Sequence, residues 1–210
     1  MVIQRRFRVE QKIAAGSFGE IYVGSGPEPY RRVALKFEKK VARVPQLARE
    51  YKVYRELQLC KEVPKALLFA SVGEHNVLVL ELLGPSLEEL FQQCGRRLSL
   101  RTTLQLVDQL LDCVGALHEH HLAHGDIKPA NFCMDARGNG KVYVIDFGLS
   151  KWYEHPQTRQ HIAYREGCAF SGNPRYASIA NHAGLETARR DDYESLGYML
   201  VYFTLGKLPW

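Results

Sequence analysis

The apolar pattern of this chain changes its period once, at the Gly84-Pro85 break. Before the break, apolar residues alternate or form short β-branched runs; after it they recur every three or four positions. A period of two buries one face of a strand, and a period near 3.6 buries one stripe of a helix. Residues 7–13, 20–23, 32–37 and 76–80 therefore read as strands, and 141–145 as a short later one. Pro45 opens a helical stretch with Leu47, Glu50, Tyr54 and Leu57 at helical spacing. Ser99 is placed to cap a helix whose apolar face runs through Leu100, Leu104, Val107, Leu111, Val114 and Leu117. The pattern predicts an α+β chain: a small β-rich domain with one main helix over residues 1–83, and a larger helical domain over 84–210.

Composition narrows the class. The 210 residues are 46% hydrophobic and 24% charged, which is ordinary for a soluble globular protein and excludes collagen-like or disordered chains. Folding at this length buries roughly 70% of the extended-chain surface, enough for a core. The apolar run at 77–80 stops at Glu81, and the basic start has no apolar stretch behind it, so neither a membrane span nor a secretory signal is expected. Five scattered cysteines, Cys60, Cys94, Cys113, Cys133 and Cys168, form no C-x-x-C pair. They read as reduced thiols of a cytoplasmic or nuclear protein rather than a cysteine metal site. Residues 1–65 hold 15 Lys/Arg and 7 Asp/Glu, a net of +8, while the rest has a net of −3. Without interleaved aromatics or a nucleic-acid module, the basic part reads as a solvated face, and no specific nucleic-acid partner is expected.

Three constellations carry chemistry. The first is Gly16-Ser17-Phe18-Gly19, a glycine turn between two strands, which lets backbone N–H groups approach phosphate oxygens. A strand follows it rather than a helix, so a hairpin lid over phosphates fits better than a dinucleotide-binding turn. The second is Lys36, whose strand has apolar neighbours on both sides and needs a carboxylate; Glu50 can supply it. The third is His124-Gly125-Asp126-Ile127-Lys128-Pro129-Ala130-Asn131, with Asp146-Phe147-Gly148 beginning twenty residues after Asp126. Asp126 can accept a hydroxyl proton, Lys128 can neutralise a phosphoryl group, and Asn131 and Asp146 are hard oxygen ligands suited to Mg²⁺.

In this order the motifs resemble the eukaryotic protein kinase set, over essentially the whole chain. Stretches 82–91, 128–132, 161–167, 174–179 and 189–197 further resemble the casein kinase I family. The resemblance implies a bilobal kinase fold and transfer of the ATP γ-phosphoryl group to serine or threonine, with ATP and Mg²⁺ as cofactors. It implies that Ile13, Gly16, Ser17, Gly19, Ile21, Ala34, Lys36, Leu80, Glu81, Leu83 and Asp146 surround the nucleotide. Leu80 would back the adenine pocket, and Glu81 and Leu83 would form its hinge. Lys36, Glu50, Asp126, Lys128 and Asn131 would be catalytic, with Asn131 and Asp146 holding the metal. Asp192 would tie down the catalytic loop, and Phe147, His124 and Tyr54 would stack in a column. Expected partners are proteins with acidic or pre-phosphorylated Ser/Thr sites, and Arg175 would belong to an anion pocket for them.

The sequence departs from the pattern at Ala14, where the family has its first loop glycine, at Gly125, where it has arginine, and at Ala130. The resemblance also implies helices beyond Trp210, making the C-terminal lobe incomplete. Eight of the ten residues from 196 to 205 are apolar, a helix expected to be buried all round and to need a covering partner. A pseudokinase or nucleotide-binding scaffold, and a fragment without activity of its own, are the competing readings.

Overall fold

In the computed structural model, which describes residues 1–16, 19–41 and 45–210, the chain reverses at once. Strand β1 (Val2–Ile3) pairs antiparallel with β2 (Phe7–Gly16), and β2 with β3 (Gly19–Ser25). Strand β4 (Arg32–Lys39) follows, then helix α1 (Leu47–Glu56), β5 (Ala66–Val72) and β6 (His75–Glu81). The sheet order is β1-β2-β3-β4-β6-β5, so β6 inserts between β4 and β5.

Alternation along β4 divides its side chains between two faces. Val33, Leu35 and Phe37 are buried with Ile3, Phe7, Ala70, Val77 and Val79 in the core of this unit. Each such side chain contributes roughly 1.5–3 kcal/mol by leaving water. Ala34, Lys36 and Glu38 take the other face. The strands expected at 7–13, 20–23, 32–37 and 76–80 all fall inside observed strands. Strand β5 was not legible, because a short continuous apolar run has no period to read. The helix begins at Leu47, two residues after Pro45.

The chain divides into two compact units, Met1–Leu83 and Gly84–Trp210. The second opens with α2 (Leu87–Gln93), whose N-terminus is a capping box: the Ser86 hydroxyl accepts from Glu89 N–H, and the Glu89 carboxylate accepts from Ser86 N–H. Helix α3 (Leu100–Glu119) is capped by Ser99, as its sequence predicts. Its buried surface differs from the expected stripe. Val114 and Leu117 are buried, but Leu100, Leu104 and Leu111 are exposed, and Thr103, Leu110 and Cys113 are buried instead. Steps of three and four describe both stripes; packing against α5, β7 and β9 selects the second.

Strand β7 (Leu122–Ala123), a 3-10 turn (Pro129–Asn131), β8 (Phe132–Met134) and β9 (Val142–Val144) follow. Then come β10 (Lys151–Trp152), α4 (Ile179–His182) and α5 (Arg189–Leu205). Strand β7 pairs with β10 and β8 with β9. Phe91 of α2 packs on Tyr202 and Phe203 of α5, with ring centroids 4.7 and 5.5 Å apart. Helix α5 is not buried all round: Tyr193, Val201 and Leu205 are exposed, because its packed residues, from Asp192 to Phe203, occupy one side. No helix among the described residues is long and apolar enough to cross a membrane.

Candidate active site

Gly16 and Gly19 are paired at the end of the β2–β3 ladder; Ser17 lies outside the described residues. Gly19 has φ +135°, and a Cβ there would lie 1.8 Å from the Phe37 carbonyl oxygen. No side chain fits at this position. On the shoulders of the hairpin, Lys12 Nζ donates to Glu20 at 2.6 Å and Tyr22 Oη donates to Glu20 at 2.7 Å. The Lys12 hydrogen bond, reinforced by Tyr22, holds the Glu20 carboxyl below its ordinary value.

Register places several expected nucleotide-binding residues side by side. Ile21 is opposite Lys36, and Ala34 is opposite Leu80, across neighbouring strands. Ala14 pairs with Ile21; Ile13 sits at a register shift and is exposed. Glu81 closes β6 with its N–H on the Lys65 carbonyl, and Leu83 ends the unit. Lys36 Nζ donates to Glu50 Oε2 at 2.8 Å, with Glu50 fully buried in α1. Burial raises the Coulomb attraction within this pair, and losing either partner would leave the other charge buried and uncompensated.

In the second unit, β7 delivers His124 and the loop that follows. Asp126 is buried, and both its oxygens are engaged. Oδ2 accepts from Lys128 Nζ at 2.5 Å and from Asn131 Nδ2 at 3.2 Å, while Oδ1 accepts from the backbone N–H of Asn173 at 3.0 Å. Asn131 Nδ2 also donates to the Asp126 carbonyl at 2.8 Å. Both bonds use the amide nitrogen, leaving Oδ1 as the atom that can ligate a cation. Ile145 N–H donates to the Asn131 carbonyl at 2.9 Å, which sets Asp146, one residue further on, close to Asn131. Asp146 has φ +67°, a left-handed conformation uncommon outside glycine. An amide oxygen and a carboxylate at the end of a short hairpin suit a hard divalent ion.

The loop backbone is tied to α5. Asp192, 2% exposed, accepts from His124 N–H at 2.8 Å and from Gly125 N–H at 2.9 Å. It shares a third bond of 2.8 Å with His118 Nε2 from α3. His124 and Phe147 pack with ring centroids 5.6 Å apart; Tyr54 is buried in the first unit. Gly125 has φ +76°, and Gly172, at φ +91°, lies against it: a Cβ at Gly172 would sit 2.7 Å from the Gly125 carbonyl oxygen. Only glycine allows this approach, and it brings Asn173 to Asp126.

Further along, Glu186 anchors the loop between β10 and α4. It accepts a hydrogen bond from Lys151, lies 3.4 Å from Cys168 Sγ and 3.7 Å from an Arg165 nitrogen. Lys151 chiefly, with Cys168 and Arg165, pulls the Glu186 carboxyl below its ordinary value against the opposing effect of burial. Arg175 is exposed, its guanidinium 5.8 Å from the Tyr202 ring centroid. All five cysteines are free, and burial pushes the Cys133 thiol up to about 12.

Sequence reasoning missed two contributors, His118 and Asn173. His118 carried a readable signal, since a polar residue four positions after the buried Val114 falls on the same face of α3 and needs a partner. Asn173 carried none, because it acts through its backbone. Residues 7–210 of the chain match the family model described as protein kinase domain.

Proposed function

Because the chain belongs to the protein kinase family, we propose that it transfers the γ-phosphoryl group of ATP to serine or threonine in proteins, in the manner of casein kinase I. The buried Asp126, held through both oxygens by Lys128, Asn131 and Asn173, is the observation that carries this reading. A carboxylate fixed this way is pre-oriented to position a substrate hydroxyl and accept its proton. Lys128 lies beside it to neutralise charge on the group being transferred. Asn131 Oδ1 and Asp146 would hold Mg²⁺, which supplies charge neutralisation at the phosphates when bound. Lys36, steadied by Glu50, would bind the α- and β-phosphates, with Gly16, Ser17 and Gly19 covering them and Ile21, Ala34, Leu80, Glu81 and Leu83 around the base.

The five stretches that resemble casein kinase I support that finer assignment. It brings acidic or pre-phosphorylated protein substrates, recognised in part by Arg175, and a cytoplasmic or nuclear setting. The test is transfer of radiolabelled phosphate from ATP to casein by the chain and by its Asp146→Asn variant. Transfer should occur with the first and fall at least about a thousandfold, or roughly 4 kcal/mol, with the second. Equal transfer by both would overturn the mechanism. Transfer by neither would point to a nucleotide-binding scaffold.

A further inference from the structure

Glu38 lies two residues beyond Lys36 on β4, on the same face of the sheet. It is 4% exposed. Its Oε1 accepts from the backbone N–H groups of Gln46 at 2.6 Å and Leu47 at 3.0 Å, the residues that begin α1. The side chain of Gln46, at the cap position, makes no cap bond. The leading donors of α1 are therefore met by a carboxylate from a neighbouring strand, and its charge suits the positive end of the helix. An ordinary cap moves with its own helix. This one fastens the helix to β4.

One turn along α1, Glu50 N–H bonds to the Gln46 carbonyl at 2.9 Å, and the Glu50 carboxylate receives Lys36. The same strand and the same helix are thus linked twice, by Glu38 at the helix start and by Lys36 at its middle. The geometry points to Glu38 as a positioning residue that fixes the axial placement of α1, so that Glu50 meets Lys36. This rests on the proposed role of the Lys36–Glu50 pair. Helix formation itself does not need Glu38, because Leu47, Val53 and Tyr54 are buried and α1 packs on β5 and β6.

The experiment substitutes Glu38 by Ala, Gln and Asp, and places Glu38→Ala also in a Glu50→Gln background. The first readout is the rate of Lys36 modification by trinitrobenzenesulfonate, followed by peptide mass mapping; it needs no transferase activity. The second is the split between kcat and KM for ATP. Glu38→Ala should raise Lys36 labelling at least about fivefold and lower kcat/KM about tenfold, but change either by under about twofold when Glu50 is already Gln. Glu38→Gln keeps an acceptor oxygen at full reach and should behave like the parent. Glu38→Asp keeps the charge, falls short by one methylene, and should behave like Glu38→Ala. The inference is overturned if the Glu38→Ala and Glu50→Gln effects multiply independently. It is equally overturned if Glu38→Asp matches the parent while Glu38→Gln does not, since charge alone would then be the agent. Should Glu38→Ala fail to fold, the Gln and Asp variants decide alone. If the parent transfers no phosphate, the functional reading fails while the labelling cycle still reads this one.

Discussion

Gly19 is the residue where the smallest change meets the hardest obstacle. Alanine there would drive a methyl group to 1.8 Å from the Phe37 carbonyl and hold a φ that L-residues avoid. The hairpin must open to accept it, at a cost of at least about 2 kcal/mol. Gly19→Ala should lower both the melting temperature and ATP affinity; an unchanged ATP Kd by calorimetry would separate Gly19 from nucleotide binding. At this scale the sequence showed what local spacing can show. Asp126, Lys128 and Asn131 lie within one loop, so their separations of two and five residues announced a cluster, and the structure places them within hydrogen-bond reach. The Asn173–Asp126 bond spans 47 residues and the His118–Asp192 bond spans 74. No local spacing encodes such pairings; they exist only once the chain has folded.

Among the elements, the Ser99 cap and strand alternation were legible, while the Ser86 capping box and the orientation of helix faces were not. Ser99 announced α3 because a hydroxyl before an apolar run satisfies a donor the helix leaves open. Which stripe of α3 turned inward depended on α5, β7 and β9, which the helix's own sequence does not describe. The loop between β10 and α4 is an element whose anchoring responds to acid. The Glu186 carboxyl is held below its ordinary value in the folded state, principally by Lys151. A lowered folded value means that its stabilisation is full above the unfolded value, about 4.3, and is lost as pH falls through the folded value. Glu186→Gln should therefore melt below the parent at pH 7. The gap between the two should narrow as pH falls from about 5 toward about 3. Melting curves at a series of pH values check this, and a gap that widens in acid would show that Glu186 does not carry the effect.

For the molecule as a whole, the two units each complete their own internal ties: Lys36 to Glu50 in one, Asp126 to Lys128, Asn131 and Asn173 in the other. A ligand bound only by the folded chain stabilises it by mass action. At a hundred times its Kd, Mg²⁺-ATP should add about 2.7 kcal/mol and raise the melting temperature by about 5–10 °C for a chain of this size. Asp146→Asn should lose most of that rise, and a full rise in the variant would place nucleotide binding elsewhere. The strand order β1-β2-β3-β4-β6-β5 also has a consequence for biosynthesis. The face bearing Ile21, Ala34 and Lys36 is bordered by Leu78 and Leu80 of β6, the last strand of that sheet to leave the ribosome. Until Glu81 has emerged, β4 is an edge with one row of unpaired backbone groups. A nascent chain arrested before that point cannot assemble that face, so any ligand that binds there must wait for the strand that closes the sheet from within.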